Sequence, residues 1–264
     1  MISEANLERQ KLLQRIMEPV TDRLLNQFQF STDVRCLDLG CGLGETTRQL
    51  ATKLEKLSEV VGIDQDRELV TMASSITPVN NCPITFHQGD ATCLNFEDAS
   101  FNFVFARYLL HHLRDPKAVL REMLRVCKPG GIVAVQEPDC AKQYCYPDSW
   151  AYERLPNIYG RLFANAFIGR ELYSLFRQVG FYDLHLNVET IAGINADLRR
   201  SYRMTIEAVG PALIKKAILQ PKELQELLGE LKNVEEQKNT LCVWSPVFSV
   251  WGYAPASQKA GTMD

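Results

Sequence analysis

The 264-residue sequence has no C-x-x-C pair among its eight cysteines, no apolar run approaching the roughly 20 residues of a membrane span, and no surplus of basic charge. Each absence narrows the field. The thiols at Cys36, Cys41, Cys82, Cys93, Cys127, Cys140, Cys145 and Cys242 are scattered, and read as small buried or half-buried side chains in a reducing compartment. No metal-ligand set is assigned to them. The opening stretch Met1-Ile-Ser-Glu-Ala-Asn-Leu-Glu-Arg9 is too polar for a secretory signal, and with no spanning segment the expected location is cytoplasmic. A net charge of −3 gives no general attraction for nucleic acid phosphates, so a small-molecule or protein partner is expected rather than DNA or RNA.

What the sequence has is an ordinary globular balance, 46% hydrophobic and 23% charged, and a length that fits one large α/β domain. Residues 4 to 29 read as a helical lead-in, with Leu7, Leu12 or Leu13, Ile16, Val20 and Leu24 at helix spacing and Pro19 marking a bend. From Val34 onward short apolar strands alternate with amphipathic helices, the pattern of a parallel sheet covered on both faces. Strands are expected at Val34 to Leu39, Val60 to Asp64, Ile84 to His87, Phe101 to Ala106, Ile132 to Gln136 and Leu184 to Val188. The helix after the first strand is expected from Glu45 to about Leu57, and others open near Asp66 and at Asp115-Pro116, where an acceptor side chain precedes a proline. A further helical stretch is expected over 160 to 178.

The first strand ends in an acidic residue and turns through three alternating glycines, in the run Asp38-Leu-Gly40-Cys-Gly42-Leu-Gly44. Such a turn lets the backbone approach a nucleoside closely. A G-x-G-x-x-G dinucleotide site would set pyrophosphate over the turn, where Asp38 would repel it; G-x-G-x-G with a carboxylate ahead suits a cation, such as the α-ammonium of S-adenosylmethionine. The run resembles motif I of the class I S-adenosylmethionine-dependent methyltransferases. Four further segments carry the resemblance in order: Val60-Val-Gly-Ile-Asp64, Ile84-Thr-Phe-His-Gln-Gly-Asp-Ala91, Phe101 to His112, and Leu124-Arg-Val-Cys-Lys-Pro-Gly-Gly131. It covers residues 30 to 140 in motif detail and 160 to 190 in outline, and looks nearest to the branch of ubiquinone and menaquinone biosynthesis and many small-molecule methyltransferases.

That resemblance implies a Rossmann-like, seven-stranded, mostly parallel sheet whose seventh strand, Val247 to Tyr253, runs antiparallel, with an N-terminal helical cap over residues 1–30 and a helical insertion between strands six and seven at about 195–240. The domain then spans 31–254 and a tail 255–264. It implies S-adenosylmethionine as cofactor, held by Asp38, Gly40, Gly42 and Gly44 at the methionine end, Asp64 with the adjoining Gln65 at the ribose, and Asp90 and Ala91 at the adenine. Arg107 is expected to pair with the cofactor carboxylate, an anionic acceptor or a structural acid.

Ligands of an open α/β sheet bind beyond the carboxyl ends of the strands, so His111, His112, Glu137 and Asp139 are candidates for base or substrate contacts. Structural roles are equally open for them. Tyr144, Tyr146, Trp150 and Tyr152 are candidates to pack on an acceptor or to sit in the core, and Cys140 and Cys145 stand where thiol or soft-metalloid chemistry could occur. The insertion reads as a helical lid or a packing and dimerisation element, leaving a homodimer possible. The functional expectation is methyl transfer to an O, N, C or S centre of a small molecule. A binding protein that has lost catalysis, or a protein methyltransferase, remains as the alternative. The chain lacks an N-P-P-Y or D-P-P-Y motif after strand four, which argues against a nucleic-acid acceptor.

Overall fold

The apolar runs become strands because they alternate with turn chemistry at short intervals and have two faces to bury. A computed structural model describes residues 4–54, 58–75 and 82–256. Helix α1 (Glu4–Leu25) is followed by β1 (Arg35–Leu39), α2 (Glu45–Ala51), β2 (Glu59–Asp64), α3 (Arg67–Ser74), β3 (Ile84–Gln88), β4 (Phe101–Arg107), α4 (Pro116–Val126) and β5 (Cys127–Pro138). After these come β6 (Tyr144–Tyr146), α5 (Trp150–Leu162), α6 (Leu172–Val179), β7 (Tyr182–Glu189), β8 (Ala192–Gly193), α7 (Ala196–Lys215), α8 (Pro221–Glu236), β9 (Leu241–Val243) and β10 (Val247–Tyr253).

Seven strands form one sheet in the order β3-β2-β1-β4-β5-β10-β7, with β1 to β5 parallel and β10 antiparallel to both its neighbours. The expected Rossmann-like sheet with an antiparallel last strand is therefore present, β10 taking the place of strand seven and β7 that of strand six. On one face Leu37, Leu39, Val104 and Val133 pack with Leu120, Met123 and Phe176 of α4 and α6. On the other, Cys36, Val60, Phe103 and Phe105 pack with Leu50 of α2 and Leu24 and Leu25 of α1. Full burial of each such side chain stabilises by about 1.5–3 kcal/mol. The helix starts follow their capping residues: Asp66 accepts from the Glu68 and Leu69 N–H groups, and Asp115 from the Ala118 N–H, with Pro116 next in line.

A third apolar core lies apart from both faces of the sheet. Leu12, Ile16 and Val20 of α1 meet Leu155 and Ile158 of α5, Ile206 and Leu213 of α7 and Leu227 and Leu231 of α8. This helical layer is tied to the strands by side-chain hydrogen bonds. Arg107 donates to Thr21 Oγ1 (3.0 Å), Thr21 donates to Gln136 Oε1 (2.8 Å), and Gln136 donates to Ser249 Oγ (2.9 Å), joining β4, α1, β5 and β10.

The structure departs from expectation in four places. The stretch 160 to 178 is not one helix: α5 begins earlier, at Trp150, and ends at Leu162, and α6 starts only at Leu172, after a short 3-10 turn over Ile168–Glu171. A second, three-stranded sheet, β6-β9-β8, escaped the sequence reading because strands of two or three residues carry no periodicity. In β7 the alternating Leu186 and Val188 are 49% and 45% exposed, since this edge strand outruns the helix that covers Leu184. Helix α2 ends at Ala51 rather than near Leu57; Leu57, and the tail beyond Ala256, lie outside the described residues.

Candidate functional site

At the end of β1 the chain turns over the tip of β2. The Gly40 and Cys41 N–H groups both donate to the Ile63 carbonyl (2.8 and 2.9 Å), and the Gly42 N–H donates to Asp64 Oδ2 (2.9 Å). Gly42 has φ +53° and open space where a side chain would stand, so the backbone faces a cavity directly. Gly44 has a different task. It is the N-cap of α2 at φ +76°, and a Cβ there would lie 2.5 Å from Phe86 Cζ, so it permits close packing of α2 on β3.

Beyond the carboxyl ends of the strands lies a cavity of ≈ 450 Å³. Asp38, Gly40, Gly42, Asp64, Gln65, Asp90, Ala91 and Arg107 line one part of it, and His111 and His112 another; Gly44 and Glu137 are not on its surface. Asp38 is 1% exposed and accepts a hydrogen bond from Thr47 Oγ1 (2.7 Å). Burial pushes its carboxyl up to about 7, with Asp64 adding to the shift and Thr47 and Arg107 opposing it. Asp64 accepts from the Gly42 and Asp66 N–H groups, one on each oxygen, which leaves a lone pair on both. Asp90 accepts from the Thr92 hydroxyl and N–H, which hold it below the usual carboxylate range. Arg107 faces the cavity but is already engaged with Thr21 and Gln14 of α1.

The loop after β4 builds a dyad. Tyr108 is held at φ +53°, uncommon for a bulky residue, and this turn brings the Leu109 and Leu110 N–H groups back to Glu137 Oε1 (2.7 and 2.5 Å). Glu137 Oε2 lies 2.7 Å from His111 Nδ1, and the carboxylate is fully buried. A carboxyl oxygen pair already accepting two backbone N–H bonds takes the Nδ1 proton as donor, which fixes the tautomer with Nε2 as acceptor. The His112 ring stands 3.9 Å from that of His111 and 5.3 Å from Phe163. Burial of the ring, His111 and the Arg9 cation hold His112 below the ordinary histidine range, although the residue as a whole is exposed.

The rest of the wall was not legible in the sequence. Leu13 and Met17 of α1, Tyr159 of α5, Tyr202 of α7 and Trp244 after β9 close the chamber over His111, joined by Phe163 and Val209. The rings expected there are elsewhere: Tyr144, Tyr146 and Trp150 are 56%, 69% and 41% exposed, and Tyr152 is in the core, because β6 leads the chain away from the strand ends before α5 returns. Asp139 is clamped by Arg170 (2.5 and 2.8 Å), a structural pair. Cys140 lines the chamber as a thiol that burial pushes up to about 12, whereas Cys145 faces Cys242 across β6 and β9. Among the described residues no cluster of His, Cys, Asp and Glu suits a metal ion, and no helix is long and apolar enough to cross a membrane.

A cavity over the glycine turn at the carboxyl ends of a 3-2-1-4-5-7-6 sheet defines a Rossmann-like α/β class with a ligand-sized site at the strand ends. The comparisons narrow it. A family model described as a methyltransferase domain matches residues 37–135. An uncharacterized methyltransferase of Schizosaccharomyces pombe is 33% identical over 137 residues, 48% of each chain. A demethylmenaquinone methyltransferase of Lactiplantibacillus plantarum is 27% identical over 177 residues, 60% of this chain and 75% of that one. The solved YcgJ protein of Bacillus superposes with a TM-score of 0.61 at 17% identity, covering 91% of this chain and all of its own, which bears on the fold alone. The chain spans less than half the length of the first curated relatives it matches. Residues 37–135 thus carry a methyltransferase domain whose cofactor is S-adenosylmethionine, and the chain is similar over a longer stretch to demethylmenaquinone methyltransferases.

The residues fit that cofactor. The buried Asp38 carboxyl, pushed up by desolvation, suits an α-ammonium, and Asp64 and Asp90 retain acceptor lone pairs along the same wall.

Proposed function

We propose that the chain catalyses methyl transfer to a small-molecule acceptor held beneath α1 and α7, with His111 as general base and Glu137 as its positioning residue. One observation carries the proposal: the candidate cofactor residues and His111 line a single cavity whose wall also holds Tyr159, Phe163, Tyr202 and Trp244. S-adenosylmethionine, when bound, supplies a methyl carbon that already bears its leaving group, and becomes S-adenosylhomocysteine.

The chain's own tasks are then to hold, to dry and to deprotonate. Asp38, Asp64 and Asp90 with the Gly40–Gly42 turn would hold the cofactor at three points, and Leu13, Met17, Tyr159 and Trp244 would keep water from the acceptor. His111 Nε2 takes the proton of an acceptor O–H, N–H or acidic C–H as the new bond to carbon forms, and Glu137 stabilises the resulting imidazolium. We read the helical layer of α1, α5, α7 and α8 as a lid, and residues 31–254 without it as the transferase domain. The likeness to demethylmenaquinone methyltransferases supports a small, planar acceptor.

The test is calorimetric titration with S-adenosylmethionine and S-adenosylhomocysteine, followed by a metabolite-extract screen for released S-adenosylhomocysteine. Binding with turnover is expected, and turnover should fall about 10²- to 10⁴-fold in His111→Ala at unchanged cofactor affinity. Binding without turnover on any extract would defeat the small-molecule reading in favour of a regulator or a protein acceptor. No binding would defeat the reading entirely.

A further inference from the structure

A second recess, of ≈ 370 Å³, opens on the far side of His112 and Phe163, the two residues that line both it and the chamber. Its polar side chains are cationic: Arg114 from the loop after β4, Arg161 at the end of α5 and Lys216 at the end of α7. No carboxylate of the described residues lines it.

The ordinary explanation is helix capping, and it accounts for part of the charge. Arg161 donates to the Ala217 and Ile218 carbonyls (both 3.1 Å), and Lys216 donates to the Leu162 carbonyl (2.9 Å), so each cation meets the other helix's carboxyl end. Two helix ends supply roughly half a negative charge each. Three full positive charges face them, leaving an excess of about two. Glu223 lies near enough to feel Arg161, but its pairing is with Arg154 and the Gln220 N–H. Arg114 has no hydrogen bond or ion pair among the described residues.

A further cation lies on the chamber side. Arg9, which lines the chamber with His112, donates from Nε to Asn6 Oδ1 (3.1 Å), while burial lowers its affinity for its own proton. The downward shift of His112 comes first from burial and then from His111 and Arg9. With the His111 and His112 rings 3.9 Å apart, the candidate base and the recess are separated by little more than one imidazole.

We infer that the methyl acceptor is an organic anion whose carboxylate or phosphate monoester sits in the recess of Arg114, Arg161 and Lys216, with its reacting end in the chamber beside His111. This inference rests on the methyltransferase reading. It adds that acceptors lacking the negative group are poorer ligands, because they forgo the attraction of three solvent-exposed cations that have no carboxylate of the described residues among them.

The test is calorimetry on the full chain saturated with S-adenosylhomocysteine, titrated with phenyl phosphate, phenylacetate and, as the neutral probe, benzyl alcohol. Both anions, or one of them, should bind at least about tenfold more tightly than the neutral probe, with affinity falling as salt rises. The tighter of the two distinguishes a monoester from a carboxylate site. Arg114→Glu should abolish the preference while S-adenosylhomocysteine affinity stays unchanged; Lys216→Gln, a milder change, should reduce it about threefold to tenfold and serves should the reversal misfold. Equal binding of charged and neutral probes, or a preference that survives both variants, would overturn the inference. If S-adenosylhomocysteine fails to bind while the anion preference and its loss in Arg114→Glu persist, the recess stands and the methyltransferase reading falls.

Discussion

A carboxylate as deeply buried as Asp38 stores a pH dependence. Its folded pKa is raised to about 7 by burial, above the roughly 3.9 of an exposed Asp, so between those values the folded chain holds a proton that the unfolded chain has lost. Stability without cofactor should therefore decline as pH rises from about 4 through about 7. Asp38→Asn removes the effect: thermal unfolding should show the variant more stable than the parent at pH 8 and equal to it at pH 5. Its affinity for S-adenosylmethionine should drop at pH 8, whereas the parent's affinity should rise across pH 6 to 8 as Asp38 ionises. A parent and variant with parallel stability profiles would refute the assignment. Glu137 acts only through its neighbours, so Glu137→Gln should lower kcat at least about a hundredfold with cofactor Kd and acceptor KM little changed, and Glu137→Asp should restore part of it. Loss of KM instead of kcat would mark the carboxylate as a scaffold alone. The acidic and glycine residues were legible because Asp38, Asp64 and Asp90 each stand where a short strand stops, a local signal. Arg9, Tyr159, Tyr202 and Trp244 carry no such signal, since only folding brings four distant stretches to one wall.

Helix α1 is held to the sheet by few polar contacts, and Thr21 is central to them. Thr21→Val leaves Gln136 Oε1 and one arm of Arg107 without partners in a buried setting, at a cost of about 1–3 kcal/mol. Denaturant titration should find that loss, and hydrogen exchange should find it concentrated in Glu4–Leu25. Uniform faster exchange across the sheet would show that α1 is not separately anchored. Periodicity made this helix readable; α7 and α8, with observed bounds of Ala196–Lys215 and Pro221–Glu236, lie within the helical insertion expected at about 195–240. It failed for α5, where the aromatic cluster at 144 to 152 mixed an exposed strand with a helix start. What decided those rings was the path of β6 and its pairing with β9, a contact between residues nearly one hundred positions apart.

At the scale of the molecule, the cavity lies between a sheet with two cores of its own and a helical layer with a third. A ligand that binds only the closed arrangement couples them. S-adenosylhomocysteine at one hundred times its Kd should add about 2.7 kcal/mol to unfolding stability, and its protection from hydrogen exchange should extend to α1 and α7 as well as the glycine turn. Protection confined to the turn would mean that the layer does not close on the cofactor.

The position of β10 has a consequence for synthesis. Because Val247–Tyr253 inserts between β5 and β7, a chain still emerging from the ribosome carries two unpaired strand edges until that segment appears. Trp244 and Ser245, which border the chamber, arrive only shortly before it. The nascent protein is thus exposed to edge-to-edge misassembly from the completion of β7 until β10 emerges, and gains a finished binding chamber and a continuous sheet almost in the same moment.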